Sequence, residues 1–132
     1  QYSGAITKAK GLKARIYPFI FRVVGFRQMK PKVGISGYDD VRRTRTIRRW
    51  AGRKIDIRID ANEAWRPDEV ADRIRELEPF GISSVEQPVR HEDVAALATV
   101  RKQVKTPIML RLCMIACRPS ATCVTPSTTV KT

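Results

Sequence analysis

From Tyr2 to Leu110 the chain repeats one pattern: a short run with apolar residues at alternate positions, then a run with apolar residues three or four apart. The first period puts apolar side chains on one side of a strand, the second on one face of a helix. Strands alternating with helices over short links make right-handed βαβ units and a parallel sheet. The strands read as "YSGAIT", "FRQMKPKVG", "KIDIRIDAN", "ISSVEQP" and the opening "PIML". Between them, Leu12, Ile16, Phe19, Ile20 and Val23 mark a first helix, interrupted at Pro18 and ended by Gly25. Asp39 and Asp40 open a second helix and Gly52 closes it. Pro67, Asp68 and Glu69 start a third, with Val70, Ile74 and Leu77 on its buried face and Gly81 after it. Val94, Leu97, Val100 and Val104 mark a fourth. Four such units and the start of a fifth strand give an α/β fold that is half of a TIM-type (β/α) barrel, whose usual full length is about 250 residues. The competing doubly wound sheet usually carries a Gly-rich phosphate loop after its first strand, and "TKAKGLK" is no such loop.

Within this pattern "KIDIRIDANEAW" poses a question. Ile55, Ile57, Ile59 and Ala61 share one side of the strand, so Asp56, Arg58, Asp60 and Asn62 share the other. A solvent-washed antiparallel strand would carry such a face, and so would a barrel strand whose polar side looks into a catalytic lumen. The parallel pattern favours the second.

Composition narrows the classes of function. No apolar run approaches the ~18 residues of a membrane span, and a cytoplasmic, non-membrane protein is expected. The 26 Lys and Arg against 13 Asp and Glu give a formal charge of +13, which invites a nucleic-acid reading based on "VRRTRTIRRWAGRK", residues 41–54. In that run Val41, Thr44, Ile47 and Ala51 recur at helical spacing, so the arginines read as the solvated face of an amphipathic helix. No aromatic platform or zinc-finger spacing accompanies them. Cys113, Cys117 and Cys123 are an odd number for a disulfide framework, and His91, the lone histidine, reads as a surface residue early in its helix. Trp65 reads as packing.

The strand ends carry the chemistry. Lys30 and Lys32 project to one face of the second strand, with Pro31 between them expected to delete a ladder hydrogen bond. Asp60 and Asn62 close the third strand, and Glu86, with Ser84 on its face, closes the fourth. In a parallel barrel these ends share the rim where active sites are built. Two carboxylates on adjacent strand ends are hard oxygen ligands suited to Mg²⁺. The motifs "MKPKVG", "RIDANEAW", "VEQPV" and "TPIML", in this order, resemble the barrel domain of the enolase superfamily. Within its mandelate racemase/muconate lactonizing enzyme family the likeness is to the branch of cycloisomerases, o-succinylbenzoate synthases, N-acylamino acid racemases and dipeptide epimerases. It covers residues 2–110.

That resemblance implies an isomerase that removes the proton alpha to a substrate carboxylate through an enediolate, with Mg²⁺ meeting the developing charge. It implies Lys32 as the acid/base. Lys30 would help hold the carboxylate and depress the Lys32 pKa by like charge. Asp60 and Glu86 would be metal ligands and Asn62 a substrate-side or outer group. The partner would be a small carboxylate such as an N-acylamino acid or dipeptide, and full-length members would form homo-oligomers. The third metal ligand of that branch, an Asp in an Asp-Glu-Ser run, falls here on Arg111. At roughly 4 Å and an effective dielectric of ~20, a cation repels a divalent ion by several kcal/mol. Residues 111–132 lack Asp and Glu and show no regular period, so they read as a separate tail, frameshift-like or disordered. With Arg111 in place, no sixth strand bearing a second lysine and no capping domain, this chain by itself is expected to be inactive.

Overall fold

Residues 3–6 and 12–110 are described by the computed structural model; Arg111, the three cysteines and the remaining tail lie outside the described residues. Among the described residues, five strands form a single parallel sheet in sequential order: β1 Ser3–Ile6, β2 Gln28–Pro31, β3 Asp56–Asp60, β4 Ile82–Glu86 and β5 Ile108–Met109. Each connection steps to the next neighbour in the same direction. With right-handed crossovers, that puts the connecting helices on one side of the sheet, as in a barrel wall and unlike a doubly wound sheet.

The helices are α1 Lys13–Val24, α2 Asp40–Ala51, α3 Val70–Leu77 and α4 Leu97–Val100. The α1 helix continues through Pro18, which is buried, so the expected interruption is absent; the proline removes one N–H without ending the helix. Gly25 stops it in the left-handed region, φ 88°, where Phe26 N–H reaches back to the Phe21 carbonyl at 2.9 Å. At the start of α2, the Asp39 carboxylate accepts from Arg42 N–H at 2.8 Å. The fourth helix differs from expectation. His91–Ala96 is a 3₁₀ helix, α4 is a single turn, and Val104 lies beyond it. The three-residue spacing of Val94, Leu97 and Val100 is compatible with a 3₁₀ helix as well as with an α-helix.

The core lies between sheet and helices. Ile55, Ile57, Ile59 and Ala61 of the β3 segment pack there with Met29, Val33, Ile47, Val70, Ile74, Leu77 and Val85. Fully burying an aliphatic side chain of this kind contributes roughly 1.5–3 kcal/mol. Trp65, 3% exposed, belongs to the same core. The α1 stripe does not: Leu12, Ile16, Phe19, Ile20 and Val23 are all exposed, and Phe19 meets Trp50 edge to face at 6.4 Å.

A bulge between β3 and β4 sets the faces. Ile57 pairs with Ile82, yet Arg58 pairs with Ser84, so one extra residue, Ser83, is taken up on β4. Ile82 and Val85 therefore stay on the helix side with Ile57 and Ile59. Ser84 and Glu86 fall on the opposite face with Arg58 and Asp60.

Candidate active site at the strand ends

The face of the sheet turned away from the helices carries two polar layers. Nearer the strand starts, Gln28 Nε2 and Arg58 Nε each donate to Asp56 Oδ2 at 3.1 Å. Burial alone would raise the Asp56 carboxyl, but hydrogen bonds from Ser83, Gln28 and Arg58 outweigh it and hold it below the usual carboxylate value.

The upper layer is a cross-strand row. Lys32 bridges Asp60 across β2 and β3, Asp60 pairs with Glu86, and Glu86 pairs with Met109. Adjacent strands run about 4.8 Å apart, so side chains on this row are neighbours. The Lys30 ammonium lies 3.3 Å from Asp60 Oδ2 and also contacts Glu86 Oε2. Asp60 is 7% exposed, Glu86 16% and Lys30 21%. The two carboxylates therefore converge on one point, and that point accepts a cation. Lys32 is half-buried, and among the described residues its ammonium has no ion pair or hydrogen bond. The two lysines of "KPK" thus differ: one is locked between carboxylates and the other is unengaged.

Pro31 proves to be the last residue of β2, so the strand is shorter than "FRQMKPKVG" suggests. Pairing resumes directly after it, with Lys32 bridging Asp60 and Val33 N–H donating to the Asp60 carbonyl at 2.9 Å. Asn62 is not drawn into the cluster. It is exposed, in the left-handed region at φ 51°, and its side chain bonds none of the four charged groups. Glu63 (φ 63°) and Gln87 (φ 48°) share that unusual backbone and are linked twice. Glu63 N–H donates to the Gln87 carbonyl, and Gln87 Nε2 donates to Glu63 Oε1, each at 2.8 Å. Non-glycine residues held there cost of order 1–3 kcal/mol each and cluster at functional sites. The sequence signalled only Asn62, a residue type that tolerates this conformation.

The arginine run is partly internal. Arg43 is 7% exposed and its Nη1 donates to the Lys32 carbonyl at 2.6 Å. Arg48 donates to the carbonyls of Gly52, Ile55, Phe80 and Gly81. These two guanidiniums are bound to backbone and do not face a nucleic acid. His91 is exposed, as expected. Among the described residues, no helix is long and apolar enough to cross a membrane.

The sequence profile of the family described as "Enolase C-terminal domain-like" matches residues 20–117. The chain belongs to this family. Among curated enolase-family relatives, the L-Ala-D/L-Glu epimerase of Bacillus subtilis is 42% identical over 88 residues, covering 64% of this chain and 24% of that protein. The hydrophobic dipeptide epimerase of Enterococcus faecalis is 41% identical over 86 residues, covering 65% and 24%. The chain thus spans about a quarter of the length of these relatives. In three dimensions it is similar to the dipeptide epimerase from Cytophaga hutchinsonii, solved with Mg and the dipeptide D-Ala-L-Val. That match has a TM-score of 0.76 and 34% identity, and covers 83% of this chain and 30% of that one.

The donor set can be tested against a divalent ion of this kind. Asp60 and Glu86 supply hard oxygens that already converge on one cationic atom, Lys30 Nζ, which fits two ligand positions. The described residues contain no group of three Asp, Glu, His or Cys that would complete a site among themselves.

Proposed function

We propose that the strand ends of β2, β3 and β4 form part of a Mg²⁺-dependent site that removes the proton alpha to a carboxylate, in a dipeptide or N-acylamino acid that is thereby racemised or epimerised. The observation that carries this reading is the upper row itself: two converging carboxylates, one lysine between them and one unengaged lysine beside them. Asp60 and Glu86 would hold the ion, which when bound supplies fixed positive charge opposite the substrate carboxylate. The Lys32 Nζ, in its neutral form, would accept the alpha proton on one face of the substrate, which suffices for exchange with solvent; inversion needs a proton delivered to the opposite face by a second acid. Lys30, tethered near the carboxylate pair, helps orient the substrate's anionic group once the ion takes over Asp60 and Glu86. An alpha proton is weakly acidic, so the base and the fixed charge must act in one place; Lys32 in register with Asp60 and Asp60 with Glu86 supports this reading.

We further propose that the chain is inactive with arginine at position 111, where the family resemblance expects the third metal ligand. The test follows alpha-proton exchange in D₂O by NMR on dipeptides and N-acylamino acids, alongside Mn²⁺ relaxation for metal binding. The unsubstituted chain should show neither. Arg111→Asp should gain metal binding and Mg²⁺-dependent exchange, and Lys32→Ala in that background should lose the exchange while still binding metal. An Arg111→Asp chain that binds no metal would sink the metal assignment. Exchange that survives Lys32→Ala would sink the assignment of the base. Mg²⁺-dependent exchange by the unsubstituted chain would overturn the claim of inactivity.

A further inference from the structure

Pro31 leaves Lys32 in an awkward place. The regular ladder of β2 ends at Pro31, and Lys32 meets β3 only through an isolated bridge to Asp60. A strand end held to its neighbour by a single bridge is less firmly fixed than one within a continuous ladder. The first turns of α2 grip it from both sides. Gly34 N–H donates to Asp40 Oδ2 at 2.8 Å, and Arg43 Nη1 donates to the Lys32 carbonyl at 2.6 Å. Gly34 itself, at φ +71°, has no room for a side chain, because a Cβ there would overlap that of Ala64 in the loop after β3.

Arg43 is built for this contact. It is 7% exposed, and its guanidinium lies over the Tyr38 ring, 5.3 Å from the centroid. A buried cation is costly unless its donors are used, and a charge-assisted bond to a carbonyl is among the stronger hydrogen bonds. The same peptide group is held at its other end, where Val33 N–H donates to the Asp60 carbonyl at 2.9 Å. Guanidinium, the Lys32–Val33 peptide and the Asp60 backbone thus form one hydrogen-bonded chain, in which each link polarises the next. It runs through the backbone of the proposed base and ends on that of a proposed metal ligand.

We propose that Arg43 is a positioning residue: it fixes the Lys32 carbonyl, and so the direction in which the unengaged Lys32 ammonium leaves the sheet, adding to the single bridge that joins Lys32 to Asp60. The inference rests on the role proposed above for Lys32, but it makes a claim about the backbone that stands or falls separately.

The test uses the full chain labelled with ¹⁵N and ¹³C and compares it with Arg43→Met and Arg43→Lys. In Arg43→Met the Val33 amide should exchange with solvent faster by about tenfold, the effect of losing one such bond. The Lys32 ¹³Cε signal, assigned with Lys32→Ala, should shift and broaden, while the Met29 and Ile57 amides and the Lys30 ¹³Cε signal stay put. Arg43→Lys, which keeps a cation and a donor, should recover part of both changes. Should Arg43→Met not fold, Arg43→Gln, whose shorter side chain stops short of the carbonyl, carries the same prediction. An unchanged Val33 amide and Lys32 signal in the folded variant overturns the proposal. So does a uniform loss of protection across β2 and β3, which would make Arg43 a general structural residue. Neither outcome depends on metal or turnover, so it leaves the proposed chemistry to its own experiment.

Discussion

The two polar layers on the inner face of the sheet are built from similar residues and solve opposite problems. In the lower layer one carboxylate, Asp56, is met by Gln28, Arg58 and Ser83, and its charge is answered within the fold. In the upper layer two carboxylates share Lys30, and a second ammonium, on Lys32, finds no partner among the described residues. The lower arrangement needs nothing added to it. The upper one leaves an ammonium without a partner among the described residues, and it is the place proposed above to bind a ligand.

The largest separation of the layers should appear in chemistry. In the Arg111→Asp chain, Lys32→Ala should lower alpha-proton exchange by roughly 10²–10⁴-fold, the usual worth of a positioned acid/base. Asp56→Asn, one layer down, should leave the rate within a small factor. Equal losses from the two would mean that the layers are not distinct.

Metal affinity should separate them next. In the same background, Glu86→Gln should weaken Mn²⁺ binding at least about tenfold, since even groups that only orient metal ligands are worth ~10–100-fold. Asp56→Asn should leave the binding curve in place. Mn²⁺ relaxation titrations read both.

Stability should reverse the order. Asp56→Asn removes a charged acceptor and should cost about 1 kcal/mol, a melting temperature several degrees lower. Its pH dependence has a definite sign. The folded-state pKa of Asp56 lies below the unfolded value, so its stabilisation is complete above the unfolded value of 3.8 and is lost as pH falls through the folded one. Glu78 behaves alike: burial would raise it, but the amides of Thr106 and Lys105 and the Thr106 hydroxyl outweigh that and hold it low. These two groups should therefore lower stability on acidification below about pH 4, against Asp40, whose burial-raised carboxyl acts the other way, and Asp56→Asn should flatten part of that limb. Denaturant melts across the acid range that show an unchanged slope in the variant would remove Asp56 as its source.

What could be read from sequence follows from how local each signal is. Strand order and the placement of Lys30, Asp60 and Glu86 rest on alternation and on the rule that parallel strands end together, so a pattern of residue types carried them. In the sequence Arg43 reads as part of a solvated face, because an arginine on a helix is the same letter whether it meets water or the Lys32 carbonyl. The 3₁₀ start of the fourth helix was visible in its three-residue spacing, yet apolar spacing of three also fits an α-helix. The exposed stripe of α1 could not be foreseen, since an apolar stripe shows that a face exists and not what covers it. The paired backbone twist of Glu63 and Gln87 has no sequence mark, as neither residue type favours positive φ.

Ser84 stands where the layers meet, and it sharpens the comparison with the smallest effect. It pairs with Arg58 of β3, two residues before Glu86 on the same face, and is 5% exposed. Its Oγ is buried and has no hydrogen-bond partner among the described residues. If Ser84 belonged to the lower layer, its hydroxyl would be matched as Asp56 is, and Ser84→Ala would cost stability in the same way. An unmatched buried hydroxyl instead carries a desolvation cost of about 1–3 kcal/mol. Ser84→Ala should recover part of this, leaving the melting temperature equal or a few degrees higher. The same substitution in the Arg111→Asp chain then shows whether the hydroxyl serves a bound group. If it does, Mn²⁺ affinity or exchange falls while stability rises, a pairing expected of a site that holds polar groups ready for a ligand. A loss of stability in Ser84→Ala would show that Ser84 is matched after all and would move the boundary between the layers up to Glu86.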